Sequence, residues 1–159
     1  MSADSPAEPE DEQVCVRIDE FTDPLCPWAY SAEPFRRRLD WLYEGSIAWT
    51  PRMVVLSSSP EENAERGFTP ERLSEGYRRI AHEHHMPIDT RERSRVAGSR
   101  DACRAVVAAR TRADLATTRR VLRGLRVRNF SGQLLDAAAQ LAGRPQRIDH
   151  LEVVVREQR

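Results

Sequence analysis

Apolar positions alternate from Val14 through Val16 to Ile18, with Cys15, Arg17 and Asp19 between them, and this period of two predicts a strand. The pattern then changes. From Pro27 onward the chain reads as a helix that Pro34 interrupts and kinks, and that resumes with Phe35, Leu39 and Leu42 at i, i+4 and i+7. Glu44-Gly45 ends it, with Gly45 in the position after the helix that favours a residue without Cβ. Residues 47–56 predict a second strand, and Pro51 within it implies an edge or a bulge. Strand, helix and strand within so short a stretch define a βαβ unit, which makes its strands parallel.

The remainder reads as helices. Residues 57–67 are a polar loop with room for a short helical turn. Thr69-Pro70-Glu71 is a cap, a proline at the first helical position and an acid in the first turn. Leu73, Tyr77, Ile80, Ala81 and His84 then form a stripe that Pro87 stops. Residues 91–98 are a second polar linker. Ala102, Cys103, Val106 and Val107 mark a largely buried helix over 101–112. Asp114 caps another helix, whose Leu115, Thr118, Leu122 and Leu125 are expected to face inward. A short helix over 134–141 and a strand over 151–155 complete the reading. No internal repeat is present.

Residues 1–12 are acidic and proline-containing and read as a disordered tail, with no basic segment followed by an apolar one as in a secretory signal. The 159 residues suit one domain, and 40% hydrophobic with 31% charged residues is a globular composition. No apolar run approaches the ~20 residues of a membrane span. A formal net charge of zero gives no global attraction to nucleic acid or membrane. These features predict a cytoplasmic protein. All 25 basic residues are arginine. Arg119, Arg120, Arg123, Arg126 and Arg128 are expected to form a solvated face opposite the leucine stripe. An odd count of three cysteines argues against a disulfide framework. His82 and His85, at i and i+3, lack the further ligand a zinc site needs, so no metal site is predicted.

Candidate chemistry centres on Cys26, in Asp23-Pro24-Leu25-Cys26-Pro27-Trp28-Ala29-Tyr30. Pro27 fits the first helical position, where its missing N–H costs nothing, and this makes Cys26 the N-cap. Unpaired amides and the positive end of the helix dipole then face the sulfur. Such placement lowers thiol pKa values from about 8.5 into roughly the 3.5–7.5 range and favours the nucleophilic thiolate. Trp28 and Tyr30 flank the thiol and are candidates to line a substrate or thiol pocket, together with Pro27. Ala29 stands at the third place after Cys26, so the motif is CxxA and its chemistry is single-thiol. Cys103 is the remote cysteine that could resolve a mixed disulfide, although an alanine- and valine-rich helix suits an inert core thiol better.

Phe21-Thr22-Asp23-Pro24-Leu25-Cys26-Pro27-Trp28 and the proline-kinked helix near Ser31-Ala32-Glu33-Pro34 resemble the DsbA-like branch of the thioredoxin superfamily. The likeness is nearest to members with a D-P-x-C-P-W signature, which include thiol-dependent reductases and hydroxychromene carboxylate isomerases. The resemblance implies an α/β fold: a thioredoxin-like βαβ part over 13–57, a helical insertion over 58–143 and an atypical segment over 144–159. The family's C-terminal ββα unit, with its cis-proline, is missing or incomplete, because only Pro145 follows Pro87. An exposed sheet edge then invites a homodimer. The implied function is a thiol–disulfide oxidoreductase without a bound cofactor, in which Cys26 acts on a small-molecule thiol or disulfide. A low-molecular-weight thiol, glutathione or mycothiol, serves as co-substrate. Two alternatives stay open: a glutathione- or mycothiol-dependent isomerase or transferase, and a non-catalytic remnant or interaction module.

Overall fold

The computed structural model describes residues 16–132. The predicted tail, Cys15, the helix over 134–141, Pro145 and the strand over 151–155 lie outside the described residues.

Two strands, β1 (Val16–Thr22) and β2 (Ile47–Met53), pair in parallel with Val16 opposite Ile47 and Thr22 opposite Met53. Helix α1 (Pro27–Leu42) connects them and carries Pro34 inside it. It stops at Tyr43, and Gly45 takes φ +84° in the turn that leads into β2. The second strand ends at Met53, short of the predicted Leu56. Val54 N–H still reaches the Thr22 carbonyl at 2.9 Å, but Leu56 N–H donates to the Asp23 carboxylate instead of continuing the ladder.

Four helices follow: α2 (Pro60–Glu65), α3 (Pro70–His84), α4 (Arg100–Arg112) and α5 (Leu115–Phe130). Thr69 and Asp114 cap α3 and α5 as expected, and Ser59 caps α2 within the segment expected to be a loop. Ser59, Thr69 and Asp114 accept from the amides of Glu62, Arg72 and Thr117. Each bond satisfies an amide with no intrahelical partner. A buried core cluster is formed by Tyr30, Tyr77, Ile80, Ile88 and Phe130. Phe130 is its centre, stacked on Tyr30 at 4.7 Å and meeting Tyr77 edge-on at 5.7 Å. Such aromatic pairs add to the stabilisation from burial.

Helix α5 corrects the expectation of a solvated basic face. Arg126 is only 1% exposed, while Leu115 is exposed and Leu125 only half-buried. The helix is turned so that Thr118, Leu122, Arg126, Asn129 and Phe130 face inward. Arg126 donates to the Thr22 hydroxyl at 2.5 Å and lies 3.6 Å from Glu20. Burial lowers its pKa, opposed by the Glu20 and Glu33 carboxylates. Arg123 reaches Glu33, itself buried, at 3.1 Å. The reason is the sheet face beneath: Glu20 and Thr22 point toward α1 and α5, and a polar strand face needs polar partners.

The apolar stripe of α1 also departs from a simple inward-facing pattern. Phe35, Leu39 and Leu42 are all exposed. Tyr30, Ser31 and Glu33 are the helix's buried positions.

Candidate functional site

The turn that holds Cys26 follows directly from the end of β1. Asp23 is buried, and its carboxylate accepts from Leu25 N–H at 2.7 Å, Leu56 N–H at 2.9 Å and the Ser99 hydroxyl at 2.5 Å. One side chain therefore ties the turn to the end of β2 and to the start of α4. The Asp23 carboxylate points into a hydrogen-bond cluster behind the turn. Cys26 N–H donates to the Asp23 carbonyl at 3.2 Å, which closes the turn.

Cys26 is the N-cap of α1, with extended backbone (φ −78°, ψ 117°) and Pro27 in the first turn. Its carbonyl accepts from Tyr30 N–H at 3.1 Å. Its side chain makes no cap hydrogen bond. The thiol is half-buried, so solvent reaches it. The amides of Trp28 and Ala29 fall in the first helical turn, where N–H groups lack intrahelical partners.

The two flanking aromatics part company. Trp28 is exposed, and its ring meets His84 of α3 edge-on at 5.2 Å. Tyr30 turns inward onto Phe130, and burial raises its hydroxyl pKa. Pro27 stays at the helix start.

Behind the turn lies a group that spacing did not single out as part of the site. Tyr77 is buried on α3, and burial raises its hydroxyl pKa most. Arg93 and a hydrogen bond with Asn129 oppose that rise, and negative charge on Cys26 adds to it. The Arg93 guanidinium sits 4.8 Å over the Tyr77 ring and donates to the Asn129 side-chain oxygen at 2.8 Å. Tyr77, Arg93 and Asn129 thus form an aromatic and polar cluster drawn from α3, α5 and the loop between α3 and α4. Tyr77 was legible as a stripe residue, but nothing local places Arg93 or Asn129 beside it.

Cys103 is fully buried on α4, with Sγ 3.7 Å from the Val54 carbonyl. Burial pushes its thiol far above the ordinary range, and the Asp23 carboxylate adds to the rise. The helix it occupies is the apolar one expected.

A cleft of about 250 Å³ opens beside the turn. Leu25 forms one wall, Ser58 to Pro60 another, and Arg95 to Gly98 with Asp101 and Ala102 the rest. It lies at the carboxyl ends of β1 and β2, where ligands bind in open parallel sheets. Among the described residues, no cluster of three or more His, Cys, Asp or Glu side chains could hold a metal. Among the same residues, no helix is long and apolar enough to cross a membrane.

The architecture is mixed α/β, with a two-stranded sheet and several helices, and it is similar to a thioredoxin-like disulfide isomerase fold. The similarity is to a solved structure from Nitrosomonas europaea, provisionally assigned as a protein disulfide isomerase. The two share 17% identity at a TM-score of 0.59, over 79% of this chain and 59% of that one. This chain therefore spans about three fifths of its neighbour's length. No protein-family profile matches the sequence, and no curated protein matches it.

Proposed function

We propose that this chain is a single-thiol enzyme of thiol–disulfide exchange, with Cys26 as its nucleophile. The observation that carries the reading is a solvent-reached cysteine at the N-cap of a proline-started helix, with Ala29 where a second cysteine would resolve the product. The Cys26 thiolate attacks one sulfur of a small disulfide. A mixed disulfide forms on Cys26, and the other sulfur leaves as a thiolate. A low-molecular-weight thiol, glutathione or mycothiol, then attacks the mixed disulfide. Cys26 is released, and the small thiol ends up in a new disulfide. Cys103 takes no part, because it is buried and its thiol is held protonated. Trp28, exposed two residues beyond Cys26, supplies an apolar contact for the substrate.

Cys26→Ser is expected to reduce thiol transfer from a small mixed disulfide to the uncatalysed rate, while Cys103→Ser retains it. Full activity in Cys26→Ser would remove the proposal. The cleft beside Leu25 favours a second reading, a thiol-dependent isomerase or transferase that binds a small electrophile there. Turnover without any Cys26 mixed disulfide by mass spectrometry would select that reading.

A further inference from the structure

The first turn of α1 packs against α3. Trp28 meets His84 edge-on at 5.2 Å. Tyr30 stacks on Phe130 of α5 at 4.7 Å, and Phe130 in turn meets Tyr77 of α3 at 5.7 Å. Tyr77 and His84 stand two helical turns apart, so they share one face of α3. Trp28 touches that face directly, and Tyr30 reaches it through Phe130. Cys26 lies one turn before Tyr30, and its carbonyl accepts from the Tyr30 amide at 3.1 Å. The start of α1 is thereby brought onto a face of α3 where Tyr77 supplies a buried hydroxyl.

That hydroxyl has a direction. Arg93 donates to the Asn129 side-chain oxygen at 2.8 Å and to the Asn129 carbonyl at 2.6 Å. With its side-chain oxygen on a guanidinium, buried Asn129 turns its amide N–H groups the other way. Burial raises the Tyr77 pKa most and keeps the phenol protonated, Arg93 and the Asn129 hydrogen bond lower it, and negative charge on Cys26 raises it. A hydrogen bond lowers a phenol's pKa when it is donated to the oxygen. The Tyr77 oxygen therefore accepts from Asn129, and its own hydrogen is left to donate elsewhere. The charged groups that act on it are Arg93, 4.8 Å over the ring, and Cys26. His84, on the same face, stands against the Trp28 ring.

We infer that the Tyr77 hydroxyl donates a hydrogen bond to the Cys26 sulfur when that sulfur is a thiolate, with Asn129 and Arg93 as positioning residues. This rests on the single-thiol reading and deepens it by naming the group that meets the nucleophile. Before attack the bond favours thiolate over thiol. As Cys26 attacks the small disulfide, charge passes to the departing sulfur and the bond weakens. When the small thiol then attacks the substrate sulfur of the mixed disulfide, the S–S bond breaks, Cys26 departs as thiolate and the bond forms again. A stabilised thiolate leaves faster, and this second step is the one a single-thiol enzyme hands to an external thiol. Tyr77 keeps its proton throughout, and no further reactant enters.

The pH profile of Cys26 alkylation by iodoacetamide, read on the Cys26 peptide by mass spectrometry, is the test. Tyr77→Phe keeps the ring against Phe130 and removes only the hydroxyl. It should move the profile to higher pH by about one pH unit, the size of a hydrogen bond to a charged group. Asn129→Leu releases the Tyr77 hydrogen from its set direction and should move the profile the same way by less. Combined with Tyr77→Phe it should add nothing further, because both act on one bond. Buried Cys103 should stay unlabelled in each variant, which reports an intact fold. A wild-type profile in Tyr77→Phe overturns the inference, as does an Asn129→Leu shift that persists in full in the double variant. Should Asn129→Leu not fold, Tyr77→Phe alone decides. Alkylation needs no disulfide substrate, so this result is read whether or not thiol transfer is found, which separates failure here from failure of the thiol reading.

Discussion

Gly98 occupies a place that admits no side chain. A Cβ there would stand 2.6 Å from the Ser59 Cα and 2.7 Å from its nitrogen, against main chain that cannot rotate aside. Gly98→Ala should destabilise the protein by about 1–3 kcal/mol in urea titration, by forcing the start of α2 away from the cleft. The residue scale also separates the two described cysteines. Iodoacetamide at neutral pH should label Cys26 and leave Cys103 unmodified in the folded protein, and label both in urea. Equal labelling under native conditions would mean the turn is not assembled. Cys26, Pro27 and Ala29 were legible in the sequence because an N-cap is a local arrangement. The direction of Asp23 was not, because its partners Leu56 and Ser99 lie 33 and 76 residues away.

At the scale of elements, the same division holds. The boundaries of α1, α3, α4 and α5 follow closely from caps, prolines and periodicity, all of which act within a turn or two, whereas β1 runs on to Thr22, past the Asp19 where the alternation ends. Which face of α5 goes inward does not follow from them. Leucine spacing pointed to Leu115 and Leu125, but the element beneath α5 is a strand face carrying Glu20 and Thr22, and this brings Arg126 inward. Removing one member of a buried ionic pair leaves the other without compensation. Arg126→Met keeps most of the packing and strips the charge, so it should cost about 3 kcal/mol by denaturant unfolding. Arg128→Met, on the exposed side of the same helix, should change stability little. Equal effects from the two would contradict the inward orientation of α5.

For the whole molecule, acid sensitivity has an identifiable contributor. Hydrogen bonds from Arg91 hold the Asp89 carboxyl down to about 2 from its usual 3.8. The folded state therefore binds fewer protons there than the unfolded chain does. That contribution is complete above about pH 4 and is lost as pH falls toward 2. The urea-midpoint difference between wild type and Asp89→Asn should be largest near pH 6 and vanish near pH 2. A difference that stays constant with pH would rule out the Arg91 contact as its cause. Asp89 N–H also donates to the Phe130 carbonyl at 2.7 Å, and this fastens the loop after α3 to the end of α5. The Asp23 cluster has a further consequence, in time rather than in space. Chains emerge N-terminal end first, and contacts distant in sequence form late. The thiol at position 26 leaves the ribosome long before Ser99 exists to complete its seat, and before Arg126 can reach Thr22. Throughout that interval the nascent chain carries an unshaped cysteine, and the surroundings of Cys26 are complete only when the last described helix docks.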